Sequence, residues 1–132
     1  MSLHQQYQAN QKTETQWMRL RNLLETQHVE ILNREKGNER CAYLYNVGEY
    51  WMAFEHSAWQ LCQLFPQSTV AKLYLKTYPF PIVMASVSCR YAQPYFQQHI
   101  VRTFKNHTIL FTSAFSLPRY RKWHRDTVNR LQ

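Results

Sequence analysis

Glycine is nearly absent from this chain: Gly37 and Gly48 are the two among 132 residues. A phosphate-cradling Gly-x-x-x-x-Gly-Lys-(Ser/Thr) loop is therefore excluded, and with it a P-loop nucleotide hydrolase. Acidic residues are missing from one half. Residues 56–132 hold ten Lys/Arg and a single acid, Asp126, whereas residues 1–55 hold six Lys/Arg and seven Asp/Glu. A two-metal nuclease centre would have to be assembled from Glu49, Glu55 and Asp126, and a helix would turn the neighbours Glu55 and His56 apart. No enzymatic activity is expected. Cysteine is sparse, and the spacing of Cys41, Cys62 and Cys89 matches neither a disulfide framework nor a zinc site. The six histidines (His4, His28, His56, His99, His107, His124) are equally scattered, so no metal and no cofactor are expected. No apolar run is long enough to span a bilayer. The polar, Gln-rich residues 1–12 have the features of neither a signal peptide nor an anchor. These absences predict one cytoplasmic domain with no membrane partner, residues 13–132, behind a flexible polar segment, residues 1–12.

What the chain does have is positive charge. The formal net is +8, and the second half carries all of the excess. A one-sided field of this kind attracts polyanions such as nucleic acid. Most individual lysines and arginines in such a chain are simply solvated.

Hydrophobic spacing supplies the elements. Thr13-Glu14-Thr15-Gln16 has the form of a capping box, and Trp17, Leu20, Leu24 and Ile31 follow at helical spacing up to Gly37. The spacing predicts a helix over 13–36. Residues 41–47 alternate as a strand. The chain breaks at Gly48 and is predicted to continue as an amphipathic helix with Phe54, Ala58, Leu61, Cys62 and Phe65 on one face, ended by Pro66. Residues 70–76 alternate again. Residues 82–87, Ile-Val-Met-Ala-Ser-Val, form an apolar run short enough for a strand buried on both faces. Pro94 suits the first turn of a third helix, with Tyr95, Ile100 and Phe104 inward. Residues 107–112 read as the last strand. Ser116-Leu117-Pro118 opens a basic helix, about 117–131, in which Tyr120, Trp123, Thr127 and Leu131 share a face. The expected class is α/β (α+β): a small mixed sheet of about four strands packed with helices.

Two stretches carry a resemblance. Val47-Gly48-Glu49-Tyr50-Trp51-Met52-Ala53-Phe54 resembles the Gly-Asp-Phe-Tyr-Glu-Leu-Phe segment of the MutS mismatch-repair family's first domain. Pro81-Ile82-Val83-Met84-Ala85-Ser86-Val87, with Tyr95 after it, resembles that family's Pro-Ile-Pro-Met-(Ala/Cys)-Gly-(Ile/Val)-Pro run and the tyrosine of the following helix. Spacing and element order agree over residues 40–111. The resemblance implies a MutS domain I-like fold without the ATPase, and a partner in duplex DNA, mismatched or distorted duplex included.

In that family a phenylalanine wedges beside the mispaired base and a glutamate bonds to it. By position Tyr50 stands for the phenylalanine and Met52 for the glutamate, with Trp51 between them at an expected strand-to-helix corner. Tyr50 keeps a stacking face, whereas Met52 cannot make the hydrogen bond. Ser86 and Ser88 replace the family's glycine and second proline. Charge alone nominates Lys72, Lys76, Arg90, Arg102, Lys105, Arg119, Arg121, Lys122 and Arg125 as phosphate contacts. The last four interleave with Tyr120 and Trp123, a pattern that suits a nucleic-acid backbone and its bases. The alternative is a protein–protein interaction domain that keeps the fold and docks a partner on an apolar Tyr50-Trp51-Met52 corner.

Overall fold

The computed structural model describes the backbone of residues 3–99 and 101–131, and the side chains of residues 16–99 and 101–131. The chain runs α1 (Leu3–Glu35), β1 (Cys41–Val47), β2 (Tyr50–Phe54), α2 (His56–Leu64), β3 (Thr69–Leu73), β4 (Ile82–Ser88), α3 (Cys89–Gln98), β5 (Val101–Thr103), β6 (Thr108–Phe111) and α4 (Leu117–Arg130). The strands form one sheet in the order β3-β4-β2-β1-β6-β5. Every neighbouring pair in it is antiparallel.

Strand alternation splits the core into two layers. Ala42, Leu44, Ala53, Val83, Ala85, Val87 and Leu110 point to one face and pack with Ala58, Leu61 and Phe65 of α2, Ala92 of α3, and Trp123 and Val128 of α4. Tyr45, Val47, Phe54 and Ile82 point to the other face, where Leu20 and Ile31 of α1 cover them. β4 contributes to both layers, as its unbroken apolar run requires.

The expected sheet of about four mixed strands is corrected to six antiparallel ones, and both additions are segments that the pattern assigned to helices. The first is β2. Gly48 does not end the sheet. It has φ +62° and, with Glu49, forms a two-residue turn that sets Tyr50 opposite Val47. A glycine of positive φ at the first turn position is a hairpin signature. Residues 50–54 are apolar throughout, and pairing with β4 along their whole length holds them as a strand. The helix starts only at His56. The second addition is β5. Phe104, expected inward on a helix, follows this strand and is 48% exposed. Ile100 lies outside the described residues.

Three boundaries also move. α1 begins at Leu3, ahead of the capping box expected to open it. Of residues 1–12, only the backbone from Leu3 is described, as part of that helix, and the flexible segment expected there otherwise falls outside the described residues. β3 stops at Leu73 because its partner β4 begins at Ile82, after a proline that cannot donate to a ladder. α3 begins at Cys89, capped by Ser88, so Pro94 falls inside it rather than in the first turn. The basic C-terminal helix forms as expected. Ser116 Oγ accepts from Arg119 N, and Tyr120 and Thr127 are buried.

Candidate functional site

The segment bearing the resemblance lies at the end of the sheet where β1 turns into β2. α1 presses on this turn. A Cβ built on Gly48 would come within 2.6 Å of Gln16 Cγ, so glycine is required by both backbone angle and space. Tyr50 is the first residue past the turn and is 42% exposed. With Met52 it borders a hollow of about 260 Å³ whose other walls are Gln16, Trp17, Leu20 and Val47.

Two further elements reach the same end. Tyr50 pairs with Ser88, the last residue of β4 and the N-cap of α3. Cys89 N donates to Glu49 O at 2.8 Å, and Asn46 Nδ2 donates to Cys89 Sγ at 3.3 Å. These bonds fasten the start of α3 to the hairpin and place exposed Arg90 and Tyr91 next in the chain. β6 pairs with β1 so that Thr108 faces Leu44, which carries the connection between β5 and β6 toward the hairpin end as well. Phe104 N donates to His107 O at 2.8 Å, and the two rings stack with centroids 4.9 Å apart. Lys105 is exposed at the tip.

Burial and nearby Arg34 hold the His107 imidazole below its usual range, so it adds no charge at neutral pH. Burial likewise pushes the Cys89 thiol up and leaves it a neutral packing group. The cations at this end are Arg90 and Lys105, beside the acid Glu49 of the turn itself; Arg102 reaches the other way, over the Phe111 ring at 5.8 Å.

The expected Tyr50-Trp51-Met52 trio does not form one patch, because strand alternation sends Trp51 to the face opposite Tyr50 and Met52. Trp51 turns to the α2 side and packs on Phe96 at 5.4 Å between ring centroids. Met52 turns to the α1 side and packs into the second core layer. Both are half-buried, and Tyr50 alone of the three projects to solvent. The expected strand-to-helix corner lies five residues on, at Glu55.

The nominated cations fall in separate places. Arg90 and Lys105 share the hairpin side, whereas Arg102 lies on the edge strand β5 with its guanidinium over Phe111. Lys72 is not free for phosphate: its Nζ donates to Val128 O at 3.0 Å and satisfies a carbonyl near the end of α4. Lys76 lies beyond the far end of β3. Arg119, Arg121, Lys122 and Arg125 are exposed on α4, whose buried Tyr120 reaches Glu55 at the opposite end of β2 from Tyr50.

Tyr91 and Phe104 are the residues that sequence reasoning missed. The signal for Tyr91 was Ser88, a good N-cap three residues ahead of it. Phe104 had no usable signal, because β5 is three residues long. Among the described residues no His/Cys/Asp/Glu group is placed to hold a metal ion. No described helix is long and apolar enough to cross a membrane. Comparison of the chain with models of known families, with curated proteins and with solved structures finds no match.

Proposed function

We propose that this chain is a DNA-binding module that grips duplex DNA with the hairpin end of its sheet and stacks Tyr50 on exposed bases. The carrying observation is the half-exposed Tyr50 ring on a braced turn, beside the cation Arg90 and the exposed ring of Tyr91. Aromatic faces interleaved with cations suit bases and phosphates together. The positive second half supplies the long-range attraction. The likeness of residues 47–54 and 81–87 to the MutS first domain points to the same chemistry. The same reading makes the module cytoplasmic and free of ATPase activity.

Met52 carries no carboxylate and faces α1, so base-specific hydrogen bonding is not part of the proposal. Preference for distorted DNA then comes from the lower cost of unstacking where pairing is already defective, a few kcal/mol per step in regular duplex. A docking patch on Tyr50, Trp51 and Met52 is less favoured, since two of the three side chains turn inward.

The test is fluorescence anisotropy with matched, single-mismatch, single-bulge and single-stranded DNA at two salt concentrations. Tighter binding to the bulged or mismatched duplex, lost in Tyr50→Ala, supports the wedge. Equal binding to all DNAs, unchanged by Tyr50→Ala, reduces the interaction to counterion release. Absence of binding at low salt overturns the proposal.

A further inference from the structure

At the opposite end of β2 from Tyr50 the chain turns into α2 through a strained residue. Glu55 has φ +53° and ψ −120°, and no other described non-glycine residue has positive φ. Glycine enters that region freely, whereas a glutamate stays there only when its surroundings hold it. Here Glu55 N donates to Val83 O at 2.9 Å, and Trp59 N donates to Glu55 O at 3.1 Å. The strain aims a carboxylate. Tyr120 OH donates to Glu55 Oε2 at 2.9 Å, and His124 Nε2 lies 2.5 Å from the same oxygen, without hydrogen-bond alignment. Both partners come from α4.

The carboxylate opens on a cavity of about 580 Å³ between the end of α1, the start of α2 and the segment after β3. That volume lies within the usual range for small-molecule sites. Its walls are rings and aliphatic groups: Tyr78, Tyr120, His56 and Leu32 among them. His56 and Tyr120 meet edge to face at 4.2 Å, and His56 Nδ1 is occupied by Asn38 O at 2.7 Å. The ring walls are therefore set before any ligand enters. The charge is the unexpected part. Glu35 and Glu55 both line this cavity, against the one lysine Lys36, in a chain of net charge +8. Ser57 and Asn38 satisfy the Glu35 oxygens, so that residue offers no contact of its own and Glu55 is the carboxylate the proposal uses. Tyr120 and His124 both meet Glu55 Oε2, and Glu55 is itself one of the residues that line the cavity.

We propose that this cavity binds a small organic cation, a primary amine carried on an apolar or aromatic group. The ammonium meets the Glu55 carboxylate, and Tyr78, Tyr120 and His56 pack around the rest. Aromatic walls with a carboxylate favour a cation over a neutral ligand of the same shape. The site shares no residue with the Tyr50 end and does not depend on the DNA proposal.

The experiment is a two-dimensional NMR titration of the full chain with benzylamine and, as a neutral match in shape, benzyl alcohol. Benzylamine is expected to give saturable shifts at His56 and His28 and to bind at least about tenfold tighter than benzyl alcohol. Glu55→Gln keeps a side-chain oxygen for Tyr120 and should erase that difference while leaving the spectrum folded. Tyr78→Ala, in an exposed segment, should weaken both ligands together, and Tyr50→Ala should change neither. Equal affinity of the amine and the alcohol, or shifts that never saturate, overturns the proposal. Should Glu55→Gln fail to fold, the amine-to-alcohol ratio in the native chain and the Tyr78→Ala result decide alone.

Discussion

Ser57 engages both carboxylate oxygens of Glu35: its N–H donates to Oε1 and its hydroxyl to Oε2, each at 2.7 Å. The same hydroxyl oxygen accepts from Tyr43 N at 2.8 Å and from Asn38 Nδ2 at 3.2 Å. One buried serine in the first turn of α2 thus ties the last turn of α1 to strand β1. Glu35 is 4% exposed. Burial pushes its carboxyl up to about 7, against the hydrogen bonds from Ser57 and Asn38 that pull it down.

That carboxyl sets a pH dependence. Its folded pKa stands above the ordinary carboxyl value of 4.5, so between the two the folded chain binds more protons than the unfolded one. The Glu35 contribution is fully present below about pH 4.5 and is lost as pH rises through about 7, roughly 3 kcal/mol in all. Urea denaturation of native chain and Glu35→Gln across this window checks it. The native-minus-variant difference should fall with rising pH, and a difference that stays flat refutes the assignment.

The two glycines should respond unequally to alanine. Gly48→Ala meets both a positive φ and the Gln16 side chain, and should cost about 2–3 kcal/mol. Gly37 has φ +73° but nothing within 4 Å of a new Cβ, so Gly37→Ala should cost only about 1 kcal/mol. Denaturation midpoints at constant m-value give both numbers, and equal losses would mean that Gln16 simply swings aside.

Tyr50 and Trp51 are neighbours with opposite duties. Tyr50→Ala should weaken DNA binding by about 1–3 kcal/mol, the worth of one base stack, and leave stability nearly unchanged. Trp51→Ala should cost about 3 kcal/mol of stability by opening a void against Phe96. Thermal melts beside anisotropy separate the effects. The reverse pattern would place the functional ring on the α2 side.

Lysine and arginine positions divide in the same way. Arg90→Ala should lower the slope of log affinity against log salt by about 1. Lys72→Ala should leave that slope alone, because its ammonium is spent on Val128 O, and should instead loosen the end of α4. A slope change with Lys72→Ala would show that this ammonium leaves the carbonyl to meet phosphate.

Much of the fold was legible where a local signal was strong. The long apolar run of β4, the Ser116 cap with Pro118 behind it, and the alternation of β1 each specify one element through contacts a few residues apart. β2 was not, because Tyr-Trp-Met-Ala-Phe is short and fits either period. The ladder with β4 on one side and β1 on the other decides it. The hairpin site was half legible. Tyr50 could be named from the sequence, but its separation from Trp51 follows from strand alternation, and Met52, on its own face, is packed under α1.

By itself the sequence determined the positive second half, the absence of a P-loop, the apolar run of β4 and a break in the chain at Gly48. These depend on composition or on neighbours in the chain. Tertiary structure alone decided which cations stand near Tyr50 and that Lys72 is engaged. It alone brought Glu35 to Ser57, and Glu55 to Tyr120 and His124. Those contacts join residues 22 to 69 positions apart. No local spacing encodes them, because they form only when the sheet order sets the end of α1, the start of α2 and α4 side by side.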